Sequence, residues 1–267
     1  MYKASQSRGS GFTRSDGTPT GAVMAFCNMM WKIITNGIDG IHPSHIAVIF
    51  DTKEKTFRSD IYPLYKANRD APPEDLIPQF PLIHKAVEAF NIKCISQIGY
   101  EADDLIATYS KIATKRNIKT IIISGDKDLM QLIDNNVRMY DPMPGKERFI
   151  DINGVQDKFG VAPDKVVDVQ ALAGDTTDNI PGVPGIGVKI ASELINEYHT
   201  LEGLLSNAKE IKQNKRRENL LKYAEDARIS YQLALLDSSS PIELDLSLIH
   251  ISEPTRPLYI SYAVFCL

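Results

Sequence analysis

Short apolar strands alternate with helices over the first 150 residues, and this alternation limits the folds available to the chain. The expected strands span residues 45–50, 93–96, 120–124, 137–140 and 148–150. The expected helices span 22–34, 76–90, 101–116 and 126–133. This order predicts an α/β fold with a mainly parallel sheet flanked by helices. Beyond residue 151, helices separated by Gly and Pro turns predict a helical region that extends to residue 245.

Composition sets limits on compartment and partners. The 267 residues include only three cysteines and no CxxC pair, so a disulfide scaffold is not expected and a reducing cytoplasm fits. No run of 18 apolar residues and no signal peptide is visible, so we expect a soluble protein without a membrane partner. The net charge of −4 argues against a nucleic-acid partner unless acids and bases gather on separate surfaces. Trp31 is expected in the core.

Acidic residues form four clusters, at residue 51, at 101–104, at 126–128 and at 175–178. A single cluster of this kind is most often a helix cap or a partner of the helix dipole. The set is harder to explain in that way, because two clusters follow apolar strands, whose ends collect functional groups in α/β sheets. Glu101 and Asp104 stand three apart, as do Asp175 and Asp178. If these acids converge, cations must neutralise them, and oxygen ligands without a His/Cys set favour Mg²⁺ or Mn²⁺ over zinc.

Clustered carboxylates suit the hydrolysis of a phosphodiester. Two metal ions roughly 3.5–4 Å apart can generate a hydroxide nucleophile and stabilise the departing oxyanion. They also bridge the phosphate oxygens, so an acidic pocket can still bind an anion.

Two further segments have the composition of nucleic-acid contacts. Residues 57–69 combine Lys66 and Arg69, which can bind phosphates, with Tyr62 and Tyr65, which can stack on unpaired bases. The alternative is a solvated amphipathic helix that packs two tyrosines. A Gly-rich turn at 182–187 enters a helix at Lys189, and glycines allow the backbone to approach a phosphate or ion closely. The alternative is a plain helix connection.

A basic run farther along the chain is open to two interpretations. It comprises Lys209, Lys212, Lys215, Arg216, Arg217 and Lys222, with Glu210, Glu218 and Glu225 among them. A soluble helix surface is the more common explanation, and a second contact face for duplex DNA is the functional one.

Several of these segments together resemble the 5′-3′ exonuclease domain of bacterial DNA polymerase I, within the flap-endonuclease family. The matching strings are SDGTPTGAV (15–23), VIFD (48–51), FR (57–58), YPLYKANR (62–69), GYEADD (99–104), GDKDL (125–129) and LAGDTTDNIPGVPGIG (172–187). The resemblance implies a PIN-like nuclease core over residues 1–150 with a helical arch at about 57–75. It also implies a DNA-binding region over 151–245 that contains a helix–three-turn–helix element.

The resemblance also implies roles for individual residues. Two Mg²⁺ or Mn²⁺ ions would be held by Asp51, Glu101, Asp103, Asp104, Asp126, Asp128, Asp175 and Asp178. Catalytic roles would fall to Tyr65, Lys66 and Arg69. DNA contacts would come from Arg58, Tyr62, Lys66, Arg69, Gly182, Gly185, Gly187 and Lys189, with a K⁺ ion in the Gly-rich turn.

The implied function is a structure-specific 5′-3′ exonuclease or flap endonuclease that acts on branched, nicked or 5′-flap DNA in primer removal and repair. Junction shape rather than base sequence would set its specificity. The protein would be a monomer near the bacterial nucleoid, with polymerase domains in cis. Two alternatives stay open: a DNA-junction-binding module with impaired catalysis, and a PIN-type ribonuclease. The ribonuclease explains neither the Gly-rich turn nor the Tyr/Lys/Arg segment.

Both ends of the chain depart from the family pattern. A first strand with a further Asp is missing before residues 2–4, so we expect a truncated front and impaired activity. Residues 246–256 (LSLIHISEPTR) and 260–267 (ISYAVFCL) resemble a translated sequencing adapter. Residues 246–267 are therefore expected to be foreign and are left out of the predicted fold. The alternative is a natural apolar tail that ends in a strand.

Overall fold

A computed structural model describes residues 12–143, 145–242, 245–249 and 262–266 of the chain. Its strands are β1 (His45–Ile49), β2 (Lys93–Ile95), β3 (Lys119–Ile123), β4 (Val137–Asp141), β5 (Arg148–Ile150) and β6 (Tyr262–Cys266). The helices of the first part are α1 (Gly21–Asn36), α2 (Phe57–Ile61), α3 (Phe80–Ala89) and α4 (Ala102–Lys115). Those of the second part are α5 (Ile152–Phe159), α6 (Val166–Ala173), α7 (Val188–Tyr198), α8 (Leu201–Ser206), α9 (Asn214–Lys222) and α10 (Ala224–Ala234).

The six strands form one sheet in the order β2-β1-β6-β3-β4-β5. Every pair is parallel except β4 with β5, which agrees with the predicted, mainly parallel α/β sheet. The β-branched runs of β1 and β3 are buried almost completely, as expected for central strands covered by helices on both faces. One apolar cluster lies under α4 and the helical region, and a second lies under α1 and α3.

The central position of the sheet is held by β6, which pairs with β1 on one side and β3 on the other. Ala263, Val264 and Phe265 are each 0% exposed. Residues 262–266 are thus part of the sheet, whereas the fold predicted from the sequence left out residues 246–267. A strand at this place matches the alternative interpretation, a natural apolar tail that ends in a strand. Alternate side chains of a strand face opposite layers, and both layers are apolar here, so an apolar sequence suits this position. The foreign origin of the segment stays a prediction, and residues 1–11, where a truncation was expected, lie outside the described residues.

The segment expected to form a helical arch is helical only over α2. Residues 63–68 form turns, and a helix resumes at the 3₁₀ segment Ile77–Gln79. Pro63 and the Pro72–Pro73 pair restrict the backbone here and remove amide donors, which explains the interruption. The buried Gln79 accepts the amides of Ala22 and Val23 through Oε1, so the end of this segment is tied to the start of α1.

Of two smaller expectations, the first was wrong and the second was confirmed. Trp31 is 63% exposed, because it lies on the outer face of α1, whereas Phe26, Met30 and Ile33 face the core. The short helix expected at 126–133 is the 3₁₀ helix Lys127–Leu132. As expected, α4 follows its cap residue Glu101, and the chain from α5 to α10 is helical. None of the described helices combines the length and the apolar composition needed to cross a bilayer.

Candidate metal centre

The segments that follow strands β1 and β3 bring the first acids together. Asp51 follows β1, and its Oδ1 accepts the amide of Ala102 at 2.8 Å, at the start of α4. Asp126 follows β3 and caps the 3₁₀ helix by accepting the amide of Asp128 at 2.9 Å. Glu101 stands at the cap position of α4, one residue before its first turn. Each acid therefore has the local role of a cap, and the sheet places these caps at one edge.

One cleft collects most of the predicted ligands. It is lined by acids, by the arch side chains and by the segment after α10, and the acids are Glu101, Asp103, Asp126, Asp128 and Asp178. Asp51 and Asp175 lie close enough to influence it, since Asp51 acts electrostatically on Asp103 and Asp175 on Asp128. Side chains separated by up to 127 positions in sequence thus act on one small volume.

Cationic side chains balance these acids in the structure. Lys66 Nζ lies 2.9 Å from Glu101 Oε1 and 3.9 Å from Asp178 Oδ2. Arg69 Nη2 lies 2.5 Å from Asp178 Oδ1, and Lys127 forms an ion pair with Asp175. With these side chains in place, the cleft has only about 20 Å³ of free space.

Tyr65 completes this arrangement on the arch side. Its phenolic hydroxyl donates to Glu101 Oε2 at 3.1 Å. Burial raises the pKa of Tyr65, and the neighbouring Glu101 charge raises it further, so the phenol keeps its proton and acts as a donor.

The electrostatics show the cost of packing acids together. Burial, aided by the charges of Asp126, Asp51 and Glu101, raises the pKa of Asp103 well above its ordinary value. Burial and the Asp126 charge raise the pKa of Asp128 to about 6. Both carboxyl groups therefore resist ionisation unless additional positive charge is supplied.

The donor set fits a divalent cation. Asp103 Oδ1 is buried and has no hydrogen-bond partner in the described structure, which is costly unless a cation or donor approaches it. The acids that line the cleft offer oxygen ligands, the type that Mg²⁺ and Mn²⁺ prefer, and no His or Cys is among the described lining residues. No group of three or more His, Cys, Asp or Glu side chains among the described residues has the geometry to hold an ion as it stands.

Two predicted site residues have a different role. Arg58 is 1% exposed and pairs through both terminal nitrogens with Asp104, at 2.7 Å each. Asp104 is 0% exposed, and both its oxygens are occupied by donors. The geometry argues against the predicted DNA contact of Arg58, because its guanidinium is buried. The geometry likewise speaks against Asp104 as a metal ligand, because the ion pair already neutralises it.

Sequence reasoning missed two side chains that contact acids of this site. Lys127 stands between two predicted ligands, and its position in the DKD string was a signal that went unused. Its ion pair, together with the Thr177 amide, lowers the pKa of Asp175 against the opposing effect of burial. Gln170, on α6, donates to Asp128 Oδ1 at 2.5 Å, and no local pattern marks it.

The arch is docked on the acidic loop 175–179 through backbone and amide contacts. The Lys66 amide donates to the Asp178 carbonyl at 2.9 Å. Asn68 Nδ2 donates to the Thr176 carbonyl at 2.7 Å, and Asn179 Nδ2 donates to the Leu64 carbonyl at 2.6 Å. These bonds place Lys66 and Arg69 directly over the carboxylates. Tyr62 is partly buried at the end of α2.

The Gly-rich turn divides into a buried and an exposed part. Gly182 is buried at φ 61°, and a Cβ there would lie 2.4 Å from the Gly174 amide nitrogen. The glycine allows the close packing of two backbone segments, and this burial argues against its predicted DNA contact. Gly185, Gly187 and Lys189 are exposed, and the backbone at Gly187 is open to approach.

The basic run lies beside this turn. Asn219, on α9, donates to the Pro184 carbonyl at 2.8 Å and so fixes the helix against the turn. Lys212, Lys215 and Lys222 are exposed, whereas Arg217 is partly buried and donates to the Ile211 carbonyl. The structure therefore places α9, which carries the exposed Lys215 and Lys222, against the Gly-rich turn.

A mainly parallel α/β sheet with carboxylates gathered at the ends of its strands, a basic segment over them and an adjoining helical region is the arrangement of an α/β nuclease. Comparison with known proteins gives the family. The 5′-3′ exonuclease N-terminal resolvase-like domain matches residues 1–160, and the 5′-3′ exonuclease C-terminal SAM fold matches 161–257. The chain belongs to this 5′-3′ exonuclease family.

Curated relatives and solved structures agree with this assignment. DNA polymerase I of Rhizobium leguminosarum is 49% identical over 93% of this chain, and the match covers 25% of that protein. The chain thus spans about a quarter of the length of the curated relatives it matches. A structure of the T5 5′-exonuclease with bound divalent metal ions (zinc) has a TM-score of 0.69 at 22% identity, covering 80% of this chain and 81% of that one. The catalytic core of Rad2 in complex with DNA substrate has a TM-score of 0.55 at 15% identity, covering 90% and 78%. At these identities the two structures establish the fold alone.

Proposed function

We propose that the chain is a structure-specific 5′-3′ exonuclease and flap endonuclease that hydrolyses DNA phosphodiesters with divalent metal ions. The observation that carries the proposal is the convergence of Glu101, Asp103, Asp126, Asp128 and Asp178 in one cleft beneath the cations of the arch. Acids with raised pKa values next to exposed basic side chains suit a phosphate substrate that arrives with neutralising metal ions.

The residues that would hold two Mg²⁺ or Mn²⁺ ions are Asp51, Glu101, Asp103, Asp126, Asp128, Asp175 and Asp178. Asp104 is assigned to its ion pair with Arg58. Bound ions would supply a hydroxide nucleophile at neutral pH and charge stabilisation at the departing oxygen. Support for metal binding comes from the unpartnered Asp103 Oδ1 and, by family likeness, from the metal ions in the T5 structure.

The arch residues bind and orient the substrate in this proposal. Lys66 and Arg69 leave their ion pairs with Glu101 and Asp178 when the scissile phosphate arrives. They then pair with the phosphate and neutralise its charge. Tyr65 keeps its proton and donates a hydrogen bond to Glu101, which fixes the orientation of that carboxylate. Tyr62 provides a ring on which an unpaired base can stack.

Duplex DNA would lie across the exposed part of the Gly-rich turn. Gly185, Gly187 and the start of α7 offer backbone amides to a phosphate, and Lys189 adds a charge. Lys212, Lys215 and Lys222 extend this surface, because Asn219 holds α9 against the turn. A K⁺ ion between the turn and a DNA phosphate is part of the proposal, and the exposed backbone of the turn supports it.

The wider role follows from the relatives. We place the chain as the nuclease part of a DNA polymerase I, with polymerase domains in cis, acting as a monomer near the bacterial nucleoid. Its substrates would be nicked, branched or 5′-flap DNA, and its tasks primer removal and repair. The high identity to DNA polymerase I of Rhizobium leguminosarum supports this placement.

A second candidate is a DNA-junction-binding module with impaired catalysis. A specific observation favours it: β6 lies between the two strands that lead to Asp51 and Asp126, yet its residues are Tyr262, Ala263, Val264, Phe265 and Cys266, without a carboxylate. A centre that needs one more acid from the middle strand would bind DNA without cutting it.

One assay separates the candidates. Labelled 5′-flap DNA and a matched single-stranded RNA are incubated with the chain in Mg²⁺ or EDTA, alongside Asp126→Asn and Asp164→Asn. Asp164 is a matched control, since its side chain is 71% exposed and forms only a local pair with Lys165. Mg²⁺-dependent flap cutting that Asp126→Asn abolishes and Asp164→Asn preserves supports the nuclease. Flap binding without cutting supports the second candidate, and cutting of RNA alone contradicts both.

A further inference from the structure

The buried pair of Arg58 and Asp104 makes more contacts than an ion pair requires. Arg58 Nε donates to the Leu233 carbonyl at 2.9 Å, and Nη2 donates to the Leu235 carbonyl at 3.1 Å. Four donor–acceptor contacts thus hold one guanidinium that is 1% exposed. The planar fork of arginine is the side chain that can satisfy such a set at fixed angles.

Asp104 has a matching set of donors. Besides the guanidinium, its Oδ2 accepts the Glu101 amide at 3.1 Å, and its Oδ1 accepts the Asp237 amide at 2.9 Å. The pair therefore touches three separate parts of the chain: α2, the start of α4, and the segment that follows α10. A buried ion pair contributes little net stability compared with apolar packing, so stability alone does not account for this arrangement.

Each of the three parts carries a different element of the proposed site. The chain from α2 runs directly into Tyr65 and Lys66. The first turn of α4 carries Asp103, and its cap is Glu101, whose Oε2 lies 3.7 Å from Arg58 Nη1. On α10, Ser230 accepts the Gly182 amide at 2.9 Å, which links this helix to the Gly-rich turn. One buried contact therefore fixes the arch, the acidic cleft and the duplex-binding turn relative to one another.

We propose that Arg58 and Asp104 are positioning residues that align the arch cations and the Gly-rich turn with the carboxylate cleft without touching DNA or metal. The proposal rests on the proposed nuclease function. A displacement of reacting groups by about 1 Å can lower a rate about 100-fold, so loosening this pair should act on turnover rather than on DNA affinity.

The test compares Arg58→Lys and Asp104→Asn with Asp168→Asn as a matched control. Asp168 is also a buried acid that accepts a backbone amide, that of Leu201 at 2.7 Å, but it lies in the helical region and does not line the cleft. Flap cleavage is measured with Mg²⁺ at a temperature at which circular dichroism finds each variant folded. We expect kcat to fall about 10- to 100-fold in both test variants and less than threefold in Asp168→Asn, with KM within threefold throughout.

Salt dependence of DNA binding separates positioning from direct contact. The slope of log Kd against log salt should be the same for Arg58→Lys and wild type, measured in EDTA. A slope that falls by about one would mean that Arg58 binds a phosphate, and would overturn the proposal. Equal kcat in wild type and both test variants would also overturn it.

A measurement on the unmodified chain covers the case in which the variants do not fold. In native-state hydrogen exchange, the amides of α2 and of Asp237 should open together, with the same dependence on denaturant. Independent opening would overturn the proposal. A wild-type chain that shows joint opening but no Mg²⁺-dependent cutting would refute the nuclease function and leave the mechanical coupling intact.

Discussion

Replacing Phe265 by alanine is the sharpest test of whether β6 belongs to the fold. The Phe265 side chain is 0% exposed, packs against Tyr109 at a ring-centroid distance of 5.6 Å and lies in the main apolar cluster. Truncation of a buried phenylalanine costs about 3–5 kcal/mol, and the value rises when the surroundings cannot collapse into the cavity. Since β6 is paired on both sides, its backbone cannot shift, so we expect a loss of about 4 kcal/mol in the free energy of unfolding.

The measurement is urea unfolding followed by circular dichroism, with Phe80→Ala as the control. Phe80 is 43% exposed, so its replacement should cost less than about 1 kcal/mol. A loss in Phe265→Ala no larger than in Phe80→Ala would refute the placement of residues 262–266 in the centre of the sheet. The predicted foreign origin of the tail would then agree with its behaviour.

Three further predictions concern the cleft and the Gly-rich turn. Lys66→Ala should lower the cleavage rate at least 100-fold while changing the unfolding midpoint little, because Lys66 is partly exposed; an unchanged rate would remove it from the mechanism. Lys189→Ala should weaken duplex binding and lower the salt slope by about one, and an unaltered slope would rule out a phosphate contact. In metal-free solution, wild type should lose stability relative to Asp128→Asn as pH rises from about 4 to beyond 6. The folded-state pKa of Asp128 is raised to about 6, so its stabilising protonated form is lost across that range. Added Mg²⁺ should remove the difference, and parallel pH curves in EDTA would contradict the raised pKa.

Local patterns predicted much of the fold. The β-branched runs of β1 and β3 and the periodicity of α4 specify their own conformations, since they need only a covered sheet face and a cap. The acids could be predicted because each has a recognisable position in its own segment. Asp51 and Asp126 each follow a strand, and Asp103 stands in a first helical turn.

What could not be predicted depends on distant partners. Arg58 lies in a basic and aromatic segment, and only the position of Asp104, 46 residues away, shows that it is buried. The turn at Lys66 is set by contacts with the loop around Asp178, which outweigh the helical preference of the segment. Gln170 contacts Asp128 only because the tertiary fold places α6 next to it. β6 was passed over because its sequence looked foreign, although its apolar residues suit a buried strand.

The left-handed backbone of Lys66, at φ 57°, makes docking of the arch and helix formation through it mutually exclusive. A right-handed helix requires a negative φ at this residue, and it would engage the Lys66 amide that now binds the Asp178 carbonyl. The segment therefore has two hydrogen-bonding schemes that share one donor, and a shift toward either depletes the other. Helical content near Lys66 should therefore measure the fraction of molecules in which the arch is not docked on the acidic loop.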